Sequence, residues 1–264
     1  MIKVKFKFKA AIASTTLLTL LLSGLLPPNQ LSLLTANLSA NANTSGGYVP
    51  PTDREPIQRT DGAGSRGCPQ GSFGSISLLI PKDHVGLTVS DRPTFSWYVS
   101  ALPSTPMQFA LVEPGVAQPI LVKQLRVNKT GIVQLKLPTN ISGLSVGKTY
   151  RWTVSLVCNA KRPSVNIYVR SWIARVPNHV DELQLLATAS SQAVRESTAD
   201  RLRQRAIAYA QSGIWYDAIA TISKAYLANP QDRLNIEYLH LLLTQVGLSQ
   251  VPILETQPFA DLEE

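Results

Sequence analysis

Strand-like segments follow one another between residues 75 and 176 with no helical pattern between them, and this run constrains the fold more than any other feature. The segments are rich in Val, Ile, Leu, Thr and aromatic residues, and Pro, Gly and Asn separate them at short intervals. Seven or eight strands are predicted, near 75–80, 85–89, 94–99, 107–112, 119–127, 131–137, 148–158 and 165–175. A series of strands without intervening helices predicts a β-sandwich.

The segment 148–158 shows the clearest strand periodicity. Its apolar side chains fall on one face, at Tyr150, Trp152, Val154, Leu156 and Cys158. One buried and one wet face is typical of an antiparallel sheet. The run 144–152 also resembles the loop and strand F of fibronectin type III domains. The sequence therefore predicts an α+β fold that begins with an antiparallel sandwich of fibronectin type III or immunoglobulin-like type.

Helical patterns follow the strands. Ser197 to Asp200 form a capping box that opens a helix, and Gly213 can end it. Further helices are predicted at 215–228 and 233–246. The first two resemble a single tetratricopeptide repeat at Leu202, Ala206, Tyr209, Gly213, Ala218, Ile222, Ala225 and Pro230. A small helical hairpin is expected, since one repeat cannot form a solenoid.

The first 42 residues have the order of a secretory signal peptide. Four lysines lie at positions 3, 5, 7 and 9, an uncharged apolar stretch covers 10–26, and Ala40 and Ala42 suit a signal peptidase. An uncleaved membrane anchor is the alternative, because the apolar stretch is at the short limit for a span. We expect export to the periplasm, cell envelope or extracellular space, with no nucleic-acid partner and no membrane span after cleavage.

Cleavage after Ala42 leaves a chain with four expected parts. These are a disordered leader at 43–67, the sandwich at 68–176, an α-helical region at 177–250 and a C-terminal tail at 251–264. The leader is expected to be disordered because it is rich in Gly, Pro, Ser and Thr and nearly lacks large apolar groups. Removal of residues 43–63 is expected to cost little stability.

The two cysteines, Cys68 and Cys158, are expected to form a structural disulfide. An even cysteine count in an exported chain is typical of such a bond. Closing a loop of 91 residues should stabilise the fold by about 4–5 kcal/mol in the chain-entropy model.

Charge is distributed unevenly along the chain. Residues 64–176 carry 13 Lys and Arg against 3 Asp and Glu, whereas residues 177–264 carry 6 against 11. Two interpretations follow: the basic and acidic parts attract each other and dock, or the basic part binds a polyanion such as an acidic glycan. The first is favoured because the basic residues are spread rather than clustered.

No motif in the sequence predicts catalysis, a metal or a cofactor. The three histidines are scattered and are expected to be surface or capping groups: His84, His179 and His240. The acids of the strand region are expected to cap turns: Asp83, Asp91 and Glu113. A non-catalytic binding or structural module of the envelope is therefore expected. The alternative is an envelope hydrolase of glycan or peptidoglycan, which requires two acids facing each other across a cleft.

Two groups of residues are candidates for binding. On the last strand, Tyr168, Arg170 and Trp172 share one face and could stack on a sugar or hold an anion. The alternative is that the helical hairpin packs on this stripe and buries it. At the second helix, Ile214, Trp215 and Tyr216 are expected to anchor the helix–helix turn to the sandwich. A groove for an envelope protein partner is the second interpretation of that turn.

Five motifs together resemble the cyanobacterial family of exported proteins known as the domain-of-unknown-function family numbered 928. The motifs are Arg66-Gly67-Cys68, the segment 92–98, the segment 150–159, the segment 172–176 and the segment 213–218. The resemblance covers residues 66–250 and implies an exported cyanobacterial protein with no established activity. The family pattern often has an acidic residue before the arginine of the 172–176 motif. This chain has Ala174 there, so no carboxylate acts at that position.

Overall fold

The structure is a computed structural model that describes residues 46–53, 55, 56, 74–178 and 197–253. They belong to one compact unit that spans residues 43–264. The predicted signal peptide, Cys68, His179 and the chain beyond residue 253 lie outside the described residues. The predictions made for those parts therefore stay predictions. No helix among the described residues is long and apolar enough to cross a membrane.

The described chain is a mixed α+β structure with eight strands in two sheets. The strands are β1 (Ile76–Leu78), β2 (Gly86–Thr88), β3 (Thr94–Val99), β4 (Met107–Val112), β5 (Leu121–Leu125), β6 (Gly131–Lys136), β7 (Thr149–Leu156) and β8 (Ile167–Arg175). One sheet has the order β1-β3-β6 and the other has the order β2-β8-β7-β4-β5. Every strand predicted from the alternation of apolar residues is present, which confirms the β-rich part of the prediction.

The expectation of a fully antiparallel arrangement is wrong at one edge. Strand β2 pairs with β8 in parallel, with Gly86 opposite Ile173 and Thr88 opposite Arg175. The backbone N–H of Val176 continues this pairing by donating to the carbonyl of Thr88 at 2.9 Å. The reason is topological: after β1 the chain crosses to the other sheet and lies beside its last strand rather than turning back in a hairpin.

The core lies between the two sheets and is built by the alternation seen in the sequence. Phe95 of β3 lies 4.9 Å from Phe109 of β4 and 5.2 Å from Trp152 of β7, between ring centroids. All three side chains are fully buried. Tyr150 and Val154 point to the same side as Trp152 and are also buried, so the predicted inner face of β7 is confirmed.

Three helices follow, and their limits agree with the capping signals. They are α1 (Thr198–Gln211), α2 (Trp215–Ala228) and α3 (Arg233–Gln245). The side chain of Ser197 accepts from the backbone N–H of Asp200 at 3.1 Å, and the Asp200 carboxylate accepts from the N–H of Ser197 at 3.2 Å. Gly213 ends the first helix with φ of +76°, a conformation that favours glycine.

Small residues bring α1 and α2 close together. Ala206 on α1 and Ala218 and Ala225 on α2 are completely buried. Residues without a long side chain let two helix backbones approach closely. The hairpin is therefore held by a tight seam, which α3 extends by packing against α2.

Helix α2 packs against β2 and β3. On the outer face of the three-stranded sheet, the side-chain amide of Gln134 donates to Ser96 Oγ at 3.0 Å and to Ser223 Oγ of α2 at 3.1 Å. The expectation that the hairpin covers the stripe on β8 is thus corrected. Helix α2 packs mainly on β2 and β3 and reaches β8 through the Trp172 backbone carbonyl, while the side chains of Tyr168, Arg170 and Trp172 stay half-buried.

The described residues between 46 and 56, called here the leader segment, pack on the rest of the fold. Gly46 O accepts from the hydroxyl of Tyr238 at 2.8 Å, and the N–H of Tyr48 donates to the side chain of Gln245 at 2.8 Å. The N–H of Val49 donates to Ala210 O at 3.0 Å. Near its other end, Glu55 O accepts from the N–H of Val85 at 3.0 Å.

The prediction of a disordered leader is therefore wrong over the leader segment. Composition suggested that it could not bury enough surface to fold alone. It instead packs on a surface formed by α1, α3 and the loop before β2, and among the described residues Tyr48 is its one large side chain buried in the core, at 6% exposure.

Candidate functional site

The turn between α1 and α2 inserts into the β region rather than facing solvent. Ile214, Trp215 and Tyr216 are buried. The indole N–H of Trp215 donates to Leu79 O at 2.8 Å. The turn thus anchors the hairpin to the sheets, which was the first of its two interpretations. Because these three residues are buried, they offer no exposed surface for the groove that the second interpretation required.

Tyr216 is the centre of this anchor. Its hydroxyl accepts from the indole N–H of Trp152 at 2.7 Å and donates to the backbone carbonyl of Trp172 at 3.0 Å. Burial raises the pKa of the Tyr216 hydroxyl far above its ordinary value. The hydroxyl therefore stays neutral and bridges strands β7 and β8 as both acceptor and donor.

Asp217, the next residue, ties the start of α2 to the end of β2. Its Oδ2 accepts from Thr88 Oγ1 at 2.7 Å and from the N–H of Val89 at 3.1 Å. Burial is the largest influence on this carboxyl and raises its pKa, although the hydrogen bonds from Thr88 and Val89 act in the opposite direction. The carboxyl is a structural acceptor at the junction.

The stripe predicted on β8 is an alternating row of aromatic and cationic groups. Tyr168, Arg170 and Trp172 lie on the outer face of the five-stranded sheet, away from the core. The guanidinium carbon of Arg170 lies 4.4 Å from the ring centroid of Tyr168, within cation–π distance. The three side chains are brought together as the sequence periodicity indicated.

Arg151 joins this row and was not among the candidate residues. It lies opposite Trp172 in the β7–β8 register, and its guanidinium carbon is 5.8 Å from the Trp172 ring centroid. Strands β4, β7 and β8 contain no acidic residue, so no carboxylate from these strands neutralises the two arginines. Together, Arg151, Tyr168, Arg170 and Trp172 are called here the cationic face.

The acids of the β region lie in turns beside basic groups. Glu113 contacts Lys148 at 2.5 Å, and Asp91 lies 3.9 Å from the guanidinium of Arg92. Asp83 contacts His84 Nδ1 at 2.7 Å. In the part of the chain that the structure describes, no group of three His, Cys, Asp or Glu residues could hold a metal ion.

His84 differs from the expectation of a surface or capping group. It is 2% exposed, and its Nε2 lies 2.6 Å from the hydroxyl of Tyr48. The two rings are also stacked, with centroids 5.7 Å apart. A lone histidine carries no sequence signal for such burial, since the contact is made by the leader segment. His240 lies on α3, within 3.3 Å of Thr244 Oγ1.

Two further acids line a cleft of about 250 Å³ between the leader segment and strands β2, β7 and β8. Asp53 and Glu55 both come from the leader segment, two positions apart, and so lie on one wall. Ala174 contributes to the cleft where the family resemblance pointed to an acidic residue. No described acid therefore lies across the cleft from Asp53 and Glu55.

The geometry defines a mixed α+β protein in which two packed sheets carry a buried helical anchor and a cationic, aromatic outer face. The family model for the Domain of Unknown Function (DUF928) matches residues 61–256. This is well over half of the chain, and the protein belongs to that family, as the sequence motifs indicated. No curated protein matches the chain.

Proposed function

We propose that this protein is a non-catalytic binding module that holds an anionic glycan on the cationic face. The observation that carries the proposal is the alternation of Arg151 with Trp172 and of Arg170 with Tyr168 on strands without acidic residues. A sugar ring stacks on an aromatic face, and guanidinium groups donate paired hydrogen bonds to carboxylates. The four side chains offer both kinds of contact along one surface.

The half-burial of these side chains also favours binding. Arg170 and Tyr168 are already held against each other, and so are Arg151 and Trp172. Side chains that are ordered before binding lose less conformational entropy when the ligand arrives. A preformed row therefore supports a binding role better than a set of mobile surface lysines would.

We further propose that the protein is exported to a cyanobacterial periplasm or cell envelope, or secreted. The lysine-rich start, the apolar stretch and the Ala40–Ala42 pattern support export. The same setting supports a disulfide between Cys158, which follows β7, and Cys68, which lies outside the described residues.

Two finer likenesses of the fold are part of the proposal. A fibronectin type III-like sandwich is supported by the sheet orders and by Tyr150, whose hydroxyl accepts from the N–H of Ser145 at 2.8 Å. A tyrosine bonded to backbone just upstream of its strand is a feature of such sandwiches. A hairpin like one tetratricopeptide repeat is supported by the burial of Ala206, Ala218 and Ala225 in its seam.

The alternative of an envelope hydrolase has weaker support. Asp83, Asp91 and Glu113 each contact a basic group in a turn. Asp53 and Glu55 share one wall of their cleft. A paired-carboxylate mechanism needs two acids on opposite sides of the scissile bond, and these five acids offer no such pair.

The test compares binding to polygalacturonate with binding to its fully methyl-esterified form, which has the same backbone and no charge. We expect the protein to bind only the acidic form. Trp172→Ala should weaken binding by about ten-fold or more, since the loss of a stacking residue at the centre of a site costs over 1 kcal/mol. Arg151→Gln should weaken it more than Lys161→Gln, which removes the same charge from an exposed loop.

Two results would overturn the glycan proposal. One is equal binding of the acidic and esterified polymers. The other is equal loss in Arg151→Gln and Lys161→Gln with no effect of Trp172→Ala, because attraction of an overall basic surface would then account for all the binding.

A further inference from the structure

A second cleft lies between strands β1 and β8, which belong to different sheets. Its volume is about 230 Å³, and the turn after α3 closes one end through Leu248 and Gln250. Its lining is polar and apolar in about equal parts, and the apolar part is formed by Ile76, Leu78, Ile80, Val169 and Leu248. The cleft is smaller than the roughly 300–1,000 Å³ of pockets for drug-sized ligands, so it suits a small molecule.

Backbone donors border this cleft on the side of β8. The N–H and C=O groups of Arg175 bond to the segment before β7, through Lys148 O at 3.0 Å and the Gly147 N–H at 2.7 Å. Successive residues of a strand direct their backbone N–H and C=O groups to opposite sides. Arg170 lies five positions before Arg175, so its backbone N–H and C=O point away from β7. The hydroxyl of Tyr216 reaches the Trp172 carbonyl from that same side.

Strand β1 is oriented in the corresponding way. The N–H of Leu79 donates to Ser96 O at 3.0 Å, towards β3. The backbone N–H groups of Ile76 and Leu78 therefore point away from β3. The cleft thus lies where two strand edges approach each other, and unpaired strand edges offer hydrogen-bond donors.

Two cations and no acid line the cleft. Arg170 Nε is buried and has no hydrogen-bond partner in the part of the chain that the structure describes. A buried donor without a partner is costly, and an acceptor that reached it would remove that cost. The ammonium of Lys82 donates to Gly247 O at 2.5 Å and has further N–H groups to offer.

We propose that this cleft binds a small monocarboxylate with an apolar body. The Nε–H of Arg170 and a neighbouring guanidinium N–H form a fork that matches a carboxylate. The apolar part of the lining favours a ligand with an apolar body and one negative charge, because burying a doubly charged phosphate beside it costs more. Nε is covered in this structure, so the carboxylate engages it after rotation about the outer bonds of the Arg170 side chain. The proposal goes beyond the glycan proposal, with which it shares only Arg170.

The test is isothermal titration calorimetry of the purified protein with phenylacetate, acetate, benzyl alcohol and phenyl phosphate. Phenylacetate should bind at least ten-fold more tightly than each of the other three. Acetate lacks the apolar body, benzyl alcohol lacks the charge, and phenyl phosphate carries the wrong anion. In NMR spectra of ¹⁵N-labelled protein, the Arg170 Nε–H signal should shift with phenylacetate.

The matched variants are Arg170→Lys and Arg151→Lys, which both keep the positive charge of the same sheet face. Of the two, only Arg170→Lys should weaken phenylacetate binding, by at least ten-fold, because Arg170 lines the cleft and Arg151 is not among its lining residues. If Arg170→Lys does not fold, Lys82→Gln replaces it and should weaken binding by several-fold. Trp172→Ala should keep phenylacetate binding even where it loses polygalacturonate, so the two proposals can fail separately.

Equal binding of acetate and phenylacetate would overturn the proposal, as would unchanged binding by a folded Arg170→Lys. No heat and no shift of the Nε–H signal at about 10 mM ligand would also overturn it, since this excludes even millimolar affinity. Tighter binding of phenyl phosphate would overturn the choice of a carboxylate.

Discussion

The hydroxyl of Tyr216 accepts a hydrogen bond from the indole N–H of Trp152 at 2.7 Å. Tyr216 of α2 thereby provides the acceptor for the buried indole N–H of Trp152 on β7. The two rings lie 6.3 Å apart, and Phe95 of the other sheet is 6.1 Å from Tyr216. Tyr216 thus brings the start of α2 into the core between the sheets.

Tyr216→Phe should lower the free energy of unfolding by about 1–3 kcal/mol, because it leaves the Trp152 N–H buried without an acceptor. The measurement is chemical denaturation followed by circular dichroism. Tyr226→Phe on the same helix is the control. Tyr226 is also buried, and its hydroxyl has no hydrogen bond among the described residues. Equal effects of both variants would contradict the role given to Tyr216.

Removal of the leader segment should destabilise the protein markedly. Tyr48→Ala should cost about 3–5 kcal/mol, as for other large buried aromatic residues, since Tyr48 contacts both His84 and Trp215. Val49→Ala, at a side chain 54% exposed, should cost much less. A chain starting at Gly64 that melted within a few degrees of the longer form would show that these contacts add no stability.

Asp217→Asn should change the pH dependence of stability in a defined direction. Burial raises the pKa of Asp217 in the folded state, so the proton is held more tightly folded than unfolded. The stabilisation that comes from this tighter proton binding is complete at pH values below the pKa of Asp217 in the unfolded chain. It is lost as the pH rises through the higher pKa of Asp217 in the folded protein. The native protein should therefore gain stability relative to Asp217→Asn as pH falls from 7 towards 4.

Denaturation of both proteins at several pH values measures this difference, and the other carboxyl groups cancel from it. The amide introduced by Asp217→Asn can still accept from Thr88 and Val89 through its side-chain oxygen, so the packing of the junction is kept. A difference that did not vary with pH, or that grew in favour of the variant on acidification, would contradict the raised pKa.

The disulfide between Cys68 and Cys158 stays a prediction. Mass spectrometry of the alkylated, non-reduced protein should find both cysteines unmodified and one cross-linked peptide pair. Cys158→Ser should then lower stability by about 4–5 kcal/mol in the chain-entropy model. Alkylation of both thiols without prior reduction would show that the bond does not form.

Strands and helices could be predicted from the sequence because their signals are local. The alternation in β7 and the capping box at Ser197 involve neighbours in the chain. The burial of the leader segment could not be predicted, since the Tyr48–Gln245 hydrogen bond joins residues 197 positions apart. The same holds for the pairing of Arg151 with Trp172, which depends on the β7–β8 register.

The leader segment imposes an order on biosynthesis. The first described residues of the leader segment bond to Tyr238 and Gln245 of α3. Because a chain is synthesised from its amino end, Tyr48 is made 197 residues before Gln245. The contacts of the leader segment with Val85 and His84 can form earlier, but those with Tyr238 and Gln245 require α3 to have been made. A chain that ends before α3 therefore cannot complete the docking of the leader segment.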